Sequence, residues 1–338
     1  MKYRALGRTG VQVSTLALGT MNFGALGRTT QDDVTAMVRC ALDAGVNLID
    51  TADVYSRGES EEMLGRALAG VDRDDVVLAT KFRLDMGGRN RGGGSRRWIV
   101  MAVEDSLRRL GTDRIDLYQM HRPAPGTDIE ETLSALDDLQ RAGKVLYVGS
   151  STFSAAEVVE AQWASERRNL VRFTTEQPPY SMLTRGIEAD VLPVAARYGM
   201  GVLVWGPLAG GFLSGKYRPG HAPATSHRDT TFLRARDSGP GDLAKQTAAE
   251  QLYTVAEQYG MTLIDMALAF TLSHPAVTSA IIGPRTLQQL ESQLGAADLV
   301  LTSDVLDAID AIVEPGRNLK PSDASAVNPA LKPANRRR

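Results

Sequence analysis

In the stretch NLIDTADVY, residues 47–55, a short apolar run turns abruptly polar, so Asp50, Asp53 and Tyr55 arrive where a buried strand should be leaving the core. The same change happens twice more along the chain. Lys81 directly follows VVLAT (76–80), and His121 directly follows IDLYQM (115–120). Carboxylate, phenol, ammonium and imidazole are groups that move protons and tune one another's pKa. Singly, each has an ordinary explanation: a lysine after a strand reaches solvent, an aspartate caps a helix, a histidine satisfies a local hydrogen bond. Three consecutive strand ends delivering such groups to one rim require those explanations three times over. One proton-handling site accounts for all of them.

The elements that must position these groups follow a rhythm. Apolar runs of strand length recur at STLAL (14–18), VNLI (46–49), VVLAT (76–80), IDLYQM (115–120), KVLYVG (144–149), VRFTT (171–175), GVLVW (201–205) and VTSAII (277–282). Amphipathic segments sit between them. Ile99, Ala102, Val103, Ser106, Leu107 and Leu110 keep the i, i+3, i+4, i+7 spacing, and Ile129, Leu133, Leu136 and Leu139 form a second stripe that stops at Gly143. Ser154 and Glu157 stand at capping-box spacing. Strand and helix alternating about eight times argues for a parallel α/β sheet built from crossover units. An open doubly wound sheet and a closed (β/α)8 TIM barrel both fit, and the count of eight in a 338-residue chain favours the barrel. The opening MKYRALGRTGVQV reads as a β-hairpin turning near RTG, placed to cap the barrel's N-terminal end.

Residues 1–313 therefore read as one barrel domain, and the Pro-, Asn- and Arg-rich segment 314–338 as a loosely held tail. Two long loops, 83–97 and 206–242, fall on the C-terminal face, where such loops serve binding. Basic and acidic residues, 38 and 40, nearly cancel, which argues against nucleic acid or an anionic membrane as partner. No run of about 18 apolar residues occurs, and the N-terminus lacks the apolar core of a signal peptide. Cys40 has no second cysteine to pair with, which fits a reducing cytoplasm. His121, His221, His227 and His274 form no HxH or HxxxH cluster, and no G-x-S-x-G elbow is present, so neither a metal hydrolase nor a serine hydrolase is expected. A small-molecule partner remains, in a monomer or a homo-oligomer.

Taken together and in order, NLIDTADVYSRGESEEMLGRAL, VVLATK, DLYQMHRP, YVGSSTFS, TEQPPYS and GVLVWGPLAGGFLSGKY resemble the aldo-keto reductases, from about Gly19 to Ala296. The resemblance implies a (β/α)8 barrel that reduces aldehydes or ketones with a nicotinamide cofactor, NADPH in preference to NADH. It assigns a tetrad of Asp50, Tyr55, Lys81 and His121, with Asp53 outside it. Tyr55 would be the general acid. Lys81 would lower its pKa from the usual value of about 10, Asp50 would hold Lys81, and His121 would orient the carbonyl oxygen. Arg122 after the histidine points to the bacterial and potassium-channel-subunit-like branches. An alternative on the same fold is a regulatory protein that uses bound NADP(H) as a redox sensor.

The resemblance also places the cofactor. Gly19, Thr20 and Met21 would line the nicotinamide-ribose end, Asp50 would also contact the cofactor, Ser151 and Gln177 would bond the carboxamide, and the ring would stack on Trp205. Gly206, Pro207, Leu208, Gly210 and Lys216 would cover the pyrophosphate, although no G-x-G-x-x-G fingerprint in the right context is present and GGFLSGKY has Tyr217 where a P-loop needs Ser or Thr. Backbone amides of a glycine-rich loop cradle phosphate without it. Gly283, Arg285, Gln289 and Gln293 would meet the adenosine end, where Thr286 reads as a helix N-cap and Arg285 as the partner of a 2′-phosphate. Thr152 stands where the family pattern has Asn, and Ser292 with Gln293 where it has Glu-Asn.

Overall fold

The computed structural model describes residues 1–216 and 240–324. Outside them lie 217–239, the larger part of the long loop expected after the seventh barrel strand, with His221 and His227, and 325–338 with its closing arginines.

A two-stranded antiparallel hairpin comes first, β1 (Tyr3–Ala5) with β2 (Gln12–Ser14). Eight parallel strands then close into a ring: β3 (Leu16–Gly19), β4 (Leu48–Asp50), β5 (Val77–Phe82), β6 (Ile115–Met120), β7 (Val145–Ser151), β8 (Thr175–Gln177), β9 (Gly201–Trp205) and β10 (Ser279–Ile282). The pairing of β10 with β3, Ile281 opposite Ala17, is what makes this a barrel and not an open sheet. Helices alternate with the strands: α1 (Gln31–Asp43), α2 (Glu59–Ala67), α3 (Arg96–Leu110), α4 (Ile129–Arg141), α5 (Ala155–Arg168), α6 (Val191–Tyr198), α7 (Pro240–Gln258), α8 (Leu263–Ser273), α9 (Leu287–Leu294) and α10 (Ser303–Ile312). The expected capping box at Ser154 and Glu157 starts α5, a second box at Thr30 and Asp33 starts α1, and Thr286 caps α9. Each supplies acceptors to amides that the first helical turn leaves unpaired.

Two apolar clusters result from strand alternation. Residues such as Leu16, Leu18, Ile49, Leu78, Val148 and Val202 pack under the helices. Their neighbours one position along, Ala17, Leu48, Ala79, Leu117 and Leu203, face one another inside the ring. Leu6 and Val13 of the hairpin region join that inner cluster with no exposed surface, so the hairpin closes the barrel floor. Burial on this scale is worth about 2 kcal/mol per side chain. Gly7 makes the closure possible: at φ +58 it lies so close to the barrel that a Cβ would stand 2.7 Å from the amide nitrogen of Gly201.

Sealed below, the ring carries its polar residues above. Continuing by twos from the floor, Leu48 leads to Asp50, Ala79 to Lys81, Leu117 to Gln119 and Leu203 to Trp205. The period that fills the floor thus also aims the site.

Two segments depart from expectation. The sixth barrel strand, expected over 171–175, pairs over Thr175–Gln177. Phe173 is instead lead-in, packed edge-to-face on Phe153. The chain from 314, expected to hang loosely, is bonded to the barrel as far as 324. Arg185 N donates to the Arg317 carbonyl at 3.0 Å, Gly186 N donates to Asn318 Oδ1 at 2.7 Å, and Leu319 N donates to the Leu183 carbonyl at 3.2 Å. Lys320 pairs with Asp242, and Asp323 with Lys245.

Candidate active site

The four tetrad positions converge. Asp50 ends β4, Lys81 lies in the last turn of pleat of β5, and His121 follows β6. Tyr55 sits on a one-turn 3-10 helix, Tyr55–Gly58, whose Ser56 and Arg57 hold left-handed backbone at φ +48 and +57. Ser56 secures this turn by donating its hydroxyl to the Phe23 carbonyl at 2.8 Å while accepting from Leu26 N at 3.1 Å.

Lys81 is fully buried, and its ammonium has three donors to place. They go to Asp50 Oδ1 at 2.5 Å, the Thr51 carbonyl at 2.8 Å and the Tyr55 hydroxyl oxygen at 3.2 Å. Because an ammonium only donates, the Tyr55 oxygen must accept here, and the phenolic hydrogen points elsewhere. Asp50 is held on its other oxygen as well, by Gln119 Nε2 at 3.1 Å and Gln177 Nε2 at 2.9 Å. His121 packs edge-to-face on Tyr55, ring centroids 5.7 Å apart, and its buried Nδ1 has no partner among the described residues.

Charge states follow from this packing. Burial pulls the Lys81 ammonium down, but the Asp50 charge, then Tyr55, outweigh it, so Lys81 is held above its usual range and stays charged. Burial pushes the Tyr55 phenol up by more than Lys81 and Arg122 pull it down. The expected lowering therefore exists as a contribution and loses to desolvation: Tyr55 keeps its proton at neutral pH. His121 is driven well below the ordinary imidazole value by burial and by the neighbouring Lys81, Arg122 and Arg83 charges, so it is neutral. A buried network with one fixed cation, one fixed anion, a neutral imidazole and a protonated phenol is equipped to give a proton to an oxygen that becomes basic.

The predicted cofactor residues ring the same mouth. Ser151 ends β7 and donates its hydroxyl to the Gln177 carbonyl at 2.9 Å. The Ser151 oxygen and Gln177 Oε1 thereby keep acceptor capacity, the complement of a carboxamide NH2. Trp205 ends β9, half-exposed, with its buried indole N–H unpartnered among the described residues. Beyond it a Cβ on Gly206 would meet none of the described residues within 4 Å. Pro207 is buried, Leu208 half-buried, Gly210 and Lys216 exposed. Gly19 is buried under a different constraint: a Cβ there would lie 2.6 Å from Ile281 Cγ2, so the residue lets β3 and β10 approach. Thr20 turns its hydroxyl away from the mouth, to Ser60 Oγ at 2.9 Å, while Met21 stands exposed. Gly283 is tied to the same rim, its carbonyl accepting from Asn22 Nδ2 at 2.8 Å. Gln289 Oε1 accepts from Arg285 N at 2.9 Å, and Gln293 Nε2 donates to the Gln289 carbonyl at 2.7 Å; Arg285 itself is half-buried.

Sequence reading passed over Gln119, Thr51, Arg83 and Glu176. Gln119 had a signal, an amide inside the apolar run IDLYQM. Glu176 is fully buried, accepts from Ser150 Oγ at 2.5 Å and Phe153 N at 3.1 Å, and burial lifts its carboxyl to about 7. Asp53 remains outside the tetrad: buried, with no side-chain partner for either oxygen among the described residues, and raised well above the carboxylate range by burial and then by Glu61.

Fold and site together put the chain among the (β/α)8 barrels whose strand ends carry acid–base groups. Within that class, the profile of the aldo/keto reductase family matches residues 15–314. The chain belongs to this family of oxidoreductases, which bind a nicotinamide cofactor. It is 35% identical over 322 residues to a probable voltage-gated potassium channel subunit beta of Arabidopsis thaliana, covering 93% of this chain and 97% of that one. It is 36% identical over 325 residues to the uncharacterized oxidoreductase YrpG of Bacillus subtilis, covering 92% and 96%. A putative channel subunit beta of Schizosaccharomyces pombe is 36% identical over 321 residues, covering 92% and 93%. No helix among the described residues is long and apolar enough to cross a membrane.

Proposed function

We propose that this protein is an NADPH-dependent carbonyl reductase, converting aldehydes or ketones to alcohols in the cytoplasm. The observation that carries the reading is the orientation forced on Tyr55: its oxygen accepts from Lys81 at 3.2 Å, so its own hydrogen is the one available to a reacting oxygen. When bound, the dihydronicotinamide supplies the hydride that adds to the carbonyl carbon. Trp205, Ser151, Gln177 and the backbone at Gly206 would hold that end, and Arg285 the far one.

Tyr55 gives its proton to the carbonyl oxygen as that oxygen takes on negative charge. An alkoxide is a far stronger base than a phenolate, so the transfer runs downhill even from a phenol whose pKa is raised. The phenolate left behind faces the Lys81 ammonium, which Asp50 keeps in place, and a solvent proton restores Tyr55. Carbonyl, NADPH and one proton thus become alcohol and NADP+. Neutral His121 orients the carbonyl oxygen without adding a charge that would compete for the proton.

NADPH oxidation with a panel of aromatic aldehydes and diketones tests this. Tyr55→Phe should keep NADPH affinity and lose turnover by about 10²–10⁴-fold, the usual contribution of a general acid. Turnover at the wild-type rate in that variant would overturn the assignment. The names of the channel-subunit relatives favour a second reading, a regulatory NADP(H)-binding protein. Sustained steady-state turnover separates the two, because a sensor would stop after about one equivalent of NADPH.

A further inference from the structure

Two arginines stand at the mouth beside the tetrad, and the proposed reduction of a simple carbonyl uses neither. Arg83 is the first residue beyond β5, two past Lys81. It is half-buried, and its Nε is shut away from solvent without a hydrogen-bond partner among the described residues. Arg122 directly follows His121. Its Nη1 donates to the His121 carbonyl at 2.9 Å and to Thr152 Oγ1 at 2.7 Å, and the guanidinium lies 5.6 Å from the Trp205 ring centroid. Among the described residues neither arginine forms an ion pair, although the chain pairs its arginines freely elsewhere. The other cation of the site, Lys81, is already matched by Asp50.

Both arginines depend on uncomfortable backbone. Arg83 itself adopts φ +107, and Thr152, which holds Arg122, adopts φ +59 although it is β-branched. A glycine at 83 or an asparagine at 152 would accept these angles more readily. Strain kept at two positions around a reaction centre, one of them an arginine and the other the residue that holds an arginine, points to a use for those guanidiniums. Both are also partly withdrawn from water without a counterion, an arrangement that an incoming anion relieves. Their charges reach His121 and one another, so they act on the same space. Glu176 is the carboxyl that Arg122 feels, but its oxygens are engaged by Ser150 and Phe153.

We infer that the substrate is a carbonyl compound bearing a second group that is an oxyanion, a carboxylate or a phosphate, received by Arg83 and Arg122 while the carbonyl faces Tyr55 and His121. This rests on the carbonyl-reductase reading for the second half of the statement only. A planar guanidinium offers paired N–H donors to such an oxyanion.

Calorimetric titration in the presence of NADP+, where no reduction occurs, tests the binding apart from the chemistry. The probes are 4-carboxybenzaldehyde, 4-formylphenyl phosphate and the neutral methyl 4-formylbenzoate. Wild type should bind at least one anion about tenfold or more tightly than the ester, and the tighter of the two identifies the anion. Arg122→Met and Arg83→Gly should each cut that ratio about tenfold. Arg83→Gly should at the same time raise the melting temperature, because it removes the strained φ; a merely structural arginine would do the reverse. Equal binding of all three probes by wild type, or an anion preference that survives in both variants, overturns the inference. Preferential anion binding with no NADPH oxidation by any probe would sink the reductase reading and uphold the anion site. Reduction of acid and ester with equal kcat/KM and equal affinity would do the opposite.

Discussion

Gln177 Nε2 donates to Asp50 Oδ2 at 2.9 Å across the lumen of the barrel, from β8 to β4, strands that stand opposite each other in the ring of eight. A bond between facing strands fixes a side chain in a way that neighbours on one strand cannot. It sets the Asp50 carboxylate plane, and through Oδ1 the position of Lys81. Gln177→Leu should therefore lower stability by about 1.5–3 kcal/mol, the range for a hydrogen bond to a charged group, and reduce kcat as well as cofactor affinity. Urea denaturation with steady-state kinetics checks this. A variant that loses only cofactor affinity, at unchanged stability, would confine Gln177 to a ligand contact.

Lys81 and Asp50 form a buried pair 2.5 Å apart with almost no exposed surface. Removing one partner strands the other charge, at a cost of about 3–5 kcal/mol. Lys81→Met alone should be strongly destabilised. The double variant Lys81→Met/Asp50→Leu should recover a large part of that loss and still fail to reduce carbonyls. Recovery of turnover in the double variant would mean that the pair is structural and that Tyr55 acts without it.

Much of this was legible because barrel strands alternate. Lys81 and His121 announce themselves as ionisable groups at the ends of apolar runs, and the floor-to-mouth period of two carries Leu48 to Asp50. Reading by apolar runs fails where the strand itself is polar. β8 consists of Thr175, Glu176 and Gln177, so Val171 and Phe173 just before it draw the expected strand too early. The Glu176 bonds to Ser150 and Phe153 come from the neighbouring strand and loop, at 26 and 23 residues' separation, which no local pattern encodes. The hold on residues 314–324 was hidden for the same reason: Asn318 reads as a loop residue until Gly186, 132 positions earlier, is seen to bond it. The Tyr55 pKa escaped for a different cause. Sequence shows which charges come near but not how much water leaves, and desolvation decides the direction.

Asp53 is the acid of NLIDTADVY that the site does not use. Burial and the Glu61 charge raise its carboxyl well above the ordinary range, against the weaker pull of Arg109 and Lys81. A group whose folded pKa exceeds its unfolded value of about 3.9 gives its full stability below that value and loses it as pH rises toward the folded pKa. Asp53→Asn has no such proton to lose. Its melting temperature should match wild type near pH 4 and exceed it by a growing margin at pH 6 and 8. A constant difference across that range would show that Asp53 finds a partner in the folded protein.

On the proposed reading, Arg285 would decide between the two nicotinamide cofactors. Its backbone amide is bonded to Gln289 Oε1 at 2.9 Å, just ahead of the Thr286 cap of α9, so the residue is fixed at a helix N-terminus, where the backbone dipole adds to its charge. NADPH carries a 2′-phosphate that NADH lacks, and on that reading Arg285 would receive it. Loss of one charge-assisted contact, about 1.5–3 kcal/mol, corresponds to roughly ten- to hundredfold in affinity. Arg285→Ala should raise KM for NADPH by that factor and leave KM for NADH nearly unchanged. Added salt should weaken NADPH binding to wild type more than to the variant, because it screens the pair that the variant lacks. An unaltered ratio of NADPH to NADH in Arg285→Ala would move the phosphate contact to another residue.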